Sequence, residues 1–498
     1  MEEAAYAVAP PEEEIAPARL QGGNRYRDAP FAIAFLAHVL LVAFVGITEG
    51  VPALNPRAGG AAAERDPEQT RFLGGLLLVS VLSPLACCLA AFWYVGYIKT
   101  HAKSMVECLV VSHVAILFVA AGFCAVADVA APAVLFLLLA LVEICWYGCI
   151  RDRIPFMAAH LECACEAVQT YPAMVWCSVG MLVPQVLWVI FWCLCVIKVY
   201  TGASEKPCSD NGMIDDPGDP TRCCEAATNA TIADDECVAK EASDIAYLAL
   251  LASFYWGAQV FANVVHTTCC GVTGAWWFQP YAPGAVKAAF RRAMTTSFGS
   301  ICLGSLVVAA LKTVEYILRD ARENPCLLCV IACVRSLIEY FNRFAYVYVA
   351  LYGFDFRRAG SAVFTLFRSS GWTVIIHDDL LGIVLLFGAL ACGVFGAVIG
   401  VAISAGVGGE TETTVAYAFV GLLTGLFAAQ QVFCVIDSAF ATVLVAWAEE
   451  PAALRDSRPS LYAHLYEAWA AHRSDLFETA KSKHPGKYVE PSDMETAL

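Results

Sequence analysis

Polar side chains recur at helical spacing within the sixth of several long apolar runs in this sequence. Steps of four, four and three residues separate the members of this stripe, which are Tyr255, Gln259, Asn263 and His266. These steps place the four side chains on one face of a helix, and Trp256 lies beside them. Aromatic and amide groups in this arrangement can face a small polar or cationic ligand. They can equally hydrogen-bond to neighbouring helices, and the sequence leaves both interpretations open.

A second polar stripe follows the eighth apolar run. Its members recur at steps of three and four residues and are Arg335, Glu339, Asn342, Arg343 and Tyr346. One face of this helix is therefore polar, and Glu339 can pair with an arginine four residues away on either side. The polar face either lines an aqueous cavity inside a bundle or lies along the membrane surface. We favour the cavity, because a membrane-crossing eighth run keeps both chain termini on one side.

The sequence contains about ten apolar runs that are long enough to cross a bilayer. A hydrocarbon core of about 30 Å needs about 20 apolar residues in a helix. Backbone polar groups in lipid must be satisfied within their own segment, which favours helices. The runs begin at Phe31, Phe72, Val106, Ala131, Met174, Ile245, Thr296, Cys326, Leu380 and Val415. We therefore predict an all-α fold, a polytopic membrane helical bundle with about ten transmembrane helices.

The distribution of lysine and arginine predicts that both termini are cytoplasmic. Arg19, Arg25 and Arg27 precede the first run, and further basic residues occupy alternate loops and the C-terminal tail. We predict a disordered cytoplasmic tail over residues 1–30, a transmembrane domain over 31–447 and a cytoplasmic tail over 448–498. The net charge is −15 and no basic stripe is present, which argues against nucleic acid as a partner.

The polar loop over residues 201–244 is predicted to be extracellular. It contains four cysteines, Cys208, Cys223, Cys224 and Cys237, which predict two disulfides in an oxidising compartment. The adjacent pair is not expected to bridge to itself, so each member should reach one of the outer two cysteines. Asn229 begins a glycosylation sequon, Asn-Ala-Thr, and is the predicted glycosylation site.

Signatures of enzymes and metal sites are missing from the sequence. It has no P-loop, no G-x-S-x-G and no H-E-x-x-H motif, so we do not expect an enzyme or a cofactor. Cys326 and Cys329 have the spacing of half a zinc site, but no second pair has suitable spacing, so no metal site is predicted.

Two G-x-x-x-G motifs occur in successive apolar runs, at Gly396 to Gly400 and at Gly421 to Gly425. Small residues at this spacing let two helix backbones approach closely. The ninth and tenth predicted helices should therefore be in close contact.

From the fifth run onward the sequence resembles the choline transporter-like family, solute carrier family 44. The resemblance lies in four blocks in a preserved order: residues 254–278 from FYW to WWF, FGSICLGSLVVA over 298–309, EYFNRFAYVYVALYGFDF over 339–356, and FCVIDSAFATVLVAWAEEP over 433–451. The first outside loop, residues 49–71, is short, which is more similar to fungal and protist members than to many animal members.

The resemblance implies about ten spans, cytoplasmic termini and a multi-pass protein of the plasma membrane. It implies a secondary transporter that moves choline or a related small amine such as ethanolamine by exchange for a proton. The partners are then that amine, protons and membrane lipids. A channel or scramblase-like protein and a non-transporting membrane scaffold stay open as alternatives.

Choline carries a quaternary ammonium group, which binds to aromatic faces, and a hydroxyl group, which needs an amide or carboxylate. The predicted substrate-binding residues are therefore Tyr255, Trp256, Gln259, Asn263, Asn342 and Tyr346. A coupling proton needs a group that titrates at membrane depth, for which His266 and Glu339 are the candidates. We favour His266, because an unperturbed histidine titrates between about pH 5 and 8.

Overall fold

The computed structural model describes most of the chain. The described residues are 25–53, 67–126, 130–151, 154–204, 213–215, 222–225, 237–239, 244–279, 281–320, 325–369, 381–472, 477–478, 481–482, 486 and 488–491. The helices are α1 (Ala29–Val45), a π-helical turn (Gly46–Gly50), α2 (Val51–Ala53), α3 (Pro67–Val126), α4 (Ala130–Ile150), α5 (Ile154–Thr170), α6 (Ala173–Gly180), α7 (Leu182–Ser204), α8 (Asp244–Phe278), α9 (Ala285–Met294), α10 (Phe298–Asp320), α11 (Pro325–Tyr352), α12 (Phe356–Ser369), α13 (Leu381–Val407), α14 (Thr411–Glu449), α15 (Pro451–Ser457) and α16 (Pro459–His472).

Eight stretches of helix within the described residues are long and apolar enough to cross a membrane. They are Ala29–Gly50, Arg71–His101, Ala130–Gly148, Ala173–Val199, Ile245–Phe278, Phe298–Arg319, Val384–Val407 and Thr411–Glu449. The predicted class, a polytopic helical membrane bundle, is confirmed. The sequence predicts about ten transmembrane helices, whereas eight stretches within the described residues meet these criteria of length and apolarity.

The two runs that fall outside this count have identifiable reasons. Helix α3 is interrupted by non-helical backbone at His101, and the apolar helix after it, Val110–Val126, is short. Helix α11 has 28 residues and a length of about 42 Å, but it carries Arg335, Glu339 and Arg343 within three turns. Of these charged residues, Glu339 and Arg343 line a cavity inside the bundle, and Arg335 pairs with Glu339.

Glycines bring α13 and α14 into direct backbone contact. A Cβ atom at Gly396 would lie 2.2 Å from the carbonyl oxygen of Gly421, and one at Gly400 would lie 2.2 Å from that of Tyr417. Ser83 of α3 donates a hydrogen bond to the same Gly421 carbonyl at 3.0 Å. The close contact predicted from the two G-x-x-x-G motifs is confirmed, and α3 joins it.

The loop between α7 and α8 contains a three-stranded antiparallel sheet. Its strands are β1 (Met213–Asp215), β2 (Arg222–Glu225) and β3 (Cys237–Ala239). The register places the Cα atom of Cys224 opposite that of Cys237. Cys208 and Asn229 lie outside the described residues, as do the side chains of the other three cysteines, so the disulfides and the glycosylation stay predictions.

The start of the described chain contacts the bundle. Nε of Arg27 donates to the carbonyl of Gly353 at 3.1 Å. The Asp28 carboxylate accepts hydrogen bonds from Oγ of Ser300 at 2.6 Å and from the backbone N–H of Phe356 at 2.9 Å. The end of the predicted disordered tail is therefore attached to α10, α11 and α12.

Helices α15 and α16 form a C-terminal cap over one end of the bundle. Nε1 of Trp277 donates to the carbonyl of Glu450 at 3.0 Å, and the Arg458 guanidinium lies 4.2 Å from the ring centroid of Trp276. Nε1 of Trp469 donates to Nε2 of His160 in α5 at 3.2 Å. Part of the predicted C-terminal tail is therefore folded against α5 and α8.

Candidate functional site

Four helices, α8, α10, α11 and α14, enclose a polar cavity of about 320 Å³, here called the charged cavity. Its lining comprises Gln259, Ala262, Asn263, His266, Val308, Lys312, Glu339, Asn342, Arg343, Tyr346, Cys434, Asp437 and Ser438. The structure thus brings together six of the eight predicted substrate and coupling residues. Four of the five residues of the polar stripe on α11 line this cavity: Glu339, Asn342, Arg343 and Tyr346.

Ion pairs cross the charged cavity between helices. Lys312 of α10 lies 3.2 Å from Glu339 of α11, and Arg343 of α11 lies 2.6 Å from Asp437 of α14. Arg335 also pairs with Glu339, at 3.0 Å. The lining carries two cationic and two anionic side chains, so the formal charges within it balance.

The asparagines of the cavity hold helices together. Nδ2 of Asn263 donates to Oγ of Ser305 at 2.9 Å, and Nδ2 of Asn342 donates to the carbonyl of Gly304 at 3.2 Å. Both bonds reach α10, in agreement with the interhelical interpretation of these residues. Among the described residues, the Gln259 side chain has no hydrogen-bond partner, so its amide is free to bind a ligand.

His266 lies between a backbone carbonyl and a hydroxyl group. Its Nε2 is 2.9 Å from the carbonyl oxygen of Arg343, and because a carbonyl only accepts, Nε2 carries a proton. Its Nδ1 is 2.8 Å from Oγ of Ser438, and that oxygen is 2.6 Å from the carbonyl of Cys434.

The single hydroxyl proton of Ser438 cannot serve Nδ1 of His266 and the Cys434 carbonyl at once. When His266 is neutral, its Nδ1 therefore competes with the Cys434 carbonyl for the hydroxyl proton of Ser438. If Nδ1 also carries a proton, it donates to Ser438, and the hydroxyl donates to Cys434. The geometry therefore accommodates both protonation states of His266.

Tyr255 and Trp256 do not line the charged cavity. Nε1 of Trp256 donates to the carbonyl of Cys302 at 3.1 Å, and its ring stacks on His38 of α1 at 5.2 Å between centroids. Successive residues of a helix are about 100° apart, so the residue beside a polar stripe faces another helix. Tyr255 lies nearer to the charged cavity: Nζ of Lys312, which lines the cavity, is 6.0 Å from the ring centroid of Tyr255.

A second cavity, of about 290 Å³, lies between α7, α8 and α14 and is here called the aromatic cavity. Its lining comprises Gln185, Trp188, Ala258, Phe261, Ala262, Val265, Phe427, Gln430, Gln431 and Cys434. It contains three aromatic rings, three amides and no ionisable carboxyl, amine, guanidinium or imidazole group. The sequence-based choice of site residues missed it.

The two cavities share a wall. Ala262 of α8 and Cys434 of α14 line both of them. On α14, Gln431, Cys434 and Ser438 follow at steps of three and four residues, so one helix face runs from the aromatic cavity to His266. Within the described part of the chain, no three His, Cys, Asp or Glu side chains converge as a metal site.

Comparison with known proteins gives one family and several relatives. The profile of a family described as plasma-membrane choline transporter matches residues 134–452, more than half of the chain. Protein PNS1 of Cryptococcus neoformans is 27% identical over 365 residues, which cover 68% of this chain and 62% of the fungal protein. A CTL-like protein of Dictyostelium discoideum is 25% identical over 355 residues, which cover 67% of this chain and 56% of that protein.

Protein PNS1 of Eremothecium gossypii is 26% identical over 482 residues, which cover 90% of this chain and 83% of the relative. The chain spans less than two thirds of the length of the Cryptococcus and Dictyostelium proteins. Both cavities lie on helices within the matched region, because their lining extends from residue 185 to residue 438.

Proposed function

The chain belongs to the choline transporter-like family, and we propose that it moves choline or a related small amine such as ethanolamine across the plasma membrane in exchange for protons. This is a family of membrane transporters, not of enzymes. The observation that carries the proposal is the pair of adjoining cavities inside the bundle. Polar and ionisable groups are costly at membrane depth and mark substrate or ion pathways.

The charged cavity is suited to proton exchange. His266 has hydrogen-bond partners in both of its protonation states, namely the Arg343 carbonyl and the Ser438 hydroxyl. A cationic amine and a protonated imidazole each add one positive charge. When one replaces the other, the charge of the pathway stays constant while substrate and proton move in opposite directions.

Glu339 is less suited to the coupling role. Its carboxylate lies 3.2 Å from Lys312 and 3.0 Å from Arg335, so it is already engaged in two ion pairs. We therefore assign the ion pair a structural role in closing the cavity between α10 and α11. The proposed coupling group is His266.

The transport proposal is tested by uptake of radiolabelled choline and ethanolamine into proteoliposomes, with and without a pH gradient. We expect saturable choline uptake that a pH gradient accelerates. Linear, unsaturable flux would favour a channel or scramblase, and lack of uptake by correctly folded protein would favour a scaffold.

The coupling role is tested by His266→Gln, which keeps a donor for the Arg343 carbonyl and an acceptor for Ser438 but does not titrate. Choline binding should persist, whereas the acceleration by the pH gradient should disappear. The matched control is His113→Gln. His113 lies 2.7 Å from Glu143, and neither residue lines either cavity. An unchanged pH response in His266→Gln would exclude this histidine.

A further inference from the structure

The aromatic cavity has the chemistry that a quaternary ammonium ion requires. Such an ion donates no hydrogen bond, so it is held by aromatic faces in a site from which water is excluded. Three rings, Trp188, Phe261 and Phe427, line this cavity, and Trp188 is only 3% exposed. The lining includes no cationic side chain to repel the ion.

Unused polar groups accompany these rings. Nε1 of Trp188 is buried and has no hydrogen-bond partner within the described part of the chain. The Gln185 and Gln430 side chains likewise have no partner there. Nε1 itself lies against Gly257 and is closed to a ligand, whereas the Gln185 side chain is half-buried and the Gln430 side chain is exposed, so these two amides can pair with a ligand in the cavity. A hydroxyl group two carbons from the ammonium can both donate to an amide oxygen and accept from an N–H.

A glycine fixes the position of the central ring. A Cβ atom at Gly257 would lie 2.1 Å from Cε2 and 2.3 Å from Nε1 of Trp188. The indole therefore lies directly against the backbone of α8, and any other residue at position 257 would displace it. The ring is held in place before a ligand arrives, which reduces the entropy lost on binding.

The charged cavity is less suited to the same group. Its carboxylates, Glu339 and Asp437, already pair with Lys312 and Arg343. A quaternary ammonium cannot replace the hydrogen bonds of a lysine or an arginine, and it would be repelled by both. Tyr346 is the one Phe, Tyr or Trp residue among those that line this cavity.

We propose that the aromatic cavity binds the quaternary ammonium headgroup of the substrate, with Trp188 and Phe427 as cation-binding rings. The proposal rests on the proposed function for the identity of the natural ligand and adds the site and its selectivity. The face of α14 that carries Gln431, Cys434 and Ser438 then connects the headgroup site to His266.

A lipid acyl chain is the competing occupant, because Phe427 is 50% exposed. An acyl chain gains nothing from the three amides of the lining. Binding of choline to the purified full-length protein is therefore compared with binding of tetramethylammonium and of the neutral isostere in which a tert-butyl group replaces trimethylammonium. We expect both cations to bind and the neutral isostere to bind far more weakly. Equal or tighter binding of the isostere would overturn the proposal.

Trp188→Ala should weaken the binding of both cations by roughly thirtyfold, because one desolvated cation–π contact is lost. The matched control is Trp176→Ala, since Trp176 is 70% exposed and lines neither cavity. If Trp188→Ala does not fold, Phe427→Ala gives the same test with a half-exposed ring. Cation affinities that stay at the parental value in a folded variant would reject the site.

Trp188→Phe keeps a ring and removes the N–H. It should keep the affinities for choline and tetramethylammonium within a few-fold, because the aromatic face is retained and the lost N–H lies against Gly257. A loss of cation affinity as large as that of Trp188→Ala would reject the ring face as the group that binds the cation. Transport is measured separately: choline uptake that is insensitive to every aromatic variant rejects this site and leaves the transporter, whereas lack of uptake by the parent rejects the transporter.

Discussion

Two histidines inside this molecule, the buried His160 and the half-buried His266, lie in opposite hydrogen-bond environments. His160, between α5 and the C-terminal cap, donates from Nδ1 to the Phe156 carbonyl at 2.9 Å and accepts at Nε2 from the Trp469 indole at 3.2 Å. His266, on the charged cavity, faces the Arg343 carbonyl and the Ser438 hydroxyl. An indole N–H only donates, whereas a hydroxyl group can donate or accept.

This difference separates a fixed histidine from one that can exchange a proton. Protonation of His160 would set its new N–H against the N–H of Trp469, and burial lowers its pKa from 6.5 to about 4. Protonation of His266 instead releases the Ser438 hydroxyl to donate to Cys434. The second hydrogen-bond partner of the imidazole, an indole N–H for His160 and a hydroxyl group for His266, therefore distinguishes the two histidines.

The largest expected effect is on the cap. Because the pKa of His160 is lower in the folded state, the unfolded or undocked state binds more protons between pH 6.5 and about 4, and docking weakens as pH falls through that window. The difference between 6.5 and about 4 corresponds to an upper limit of about 3 kcal/mol of docking free energy, fully present above pH 6.5, because Phe156 and Phe440 also cover His160. Hydrogen exchange of the α16 amides as a function of pH measures it.

The control for that experiment is the surface histidine of the same interface. His464 lies 2.7 Å from Glu162, and exposed pairs of this kind contribute about 0–1 kcal/mol. His464→Gln should therefore keep the pH dependence. Constant protection of α16 from pH 7 to 4 would contradict a locked His160.

A smaller effect should follow from removing the group that locks His160. Trp469→Phe keeps an aromatic ring and leaves Nε2 of His160 without a donor, which costs about 2 kcal/mol at neutral pH. The difference from the parent should shrink as pH falls, because the variant presents no N–H to the protonated ring.

Trp447→Phe is the matched control, since Nε1 of Trp447 is buried without a hydrogen-bond partner in the described part of the chain. Removing that N–H breaks no bond, so docking should change little. If both substitutions weaken α16 protection equally, the loss reflects ring packing and not the bond to His160.

How much the sequence could predict depended on periodicity. The two polar stripes were recognisable because their members recur at helical spacing within a single run: Gln259 and His266 in α8, and Glu339 in α11. The structure places these residues on one cavity. Trp256 was chosen because it adjoins a stripe, yet one step along a helix turns a side chain toward α1. Which face of a helix meets which neighbour is a tertiary property that one periodic run does not contain.

The aromatic cavity left no comparable signal. Gln185, Phe261 and Gln430 come from three distant segments. The lining residues of α8 and of α14 do recur at helical spacing, but most of them are apolar residues within apolar runs, so the pattern does not stand out in the sequence. The available hints were amides inside apolar runs: Gln185 after a proline, and two adjacent glutamines in α14.

In the loop between α7 and α8, the backbone register pairs Cys224 with Cys237. Residues opposite each other on paired strands are within disulfide reach, so the disulfide prediction is narrowed to a Cys224–Cys237 bridge.

The smallest expected change in stability, about 1 kcal/mol, comes from Ser438→Ala and tests the other half of the comparison. The variant removes the hydroxyl that accepts from protonated His266 and donates to it when neutral, so the acceleration of choline exchange by a pH gradient should weaken while choline binding persists. Thr442→Val is the control, because it removes a hydroxyl one turn away that donates to the Ser438 carbonyl and does not contact His266. An undiminished pH response in Ser438→Ala would mean that a hydroxyl partner is not what distinguishes His266 from His160.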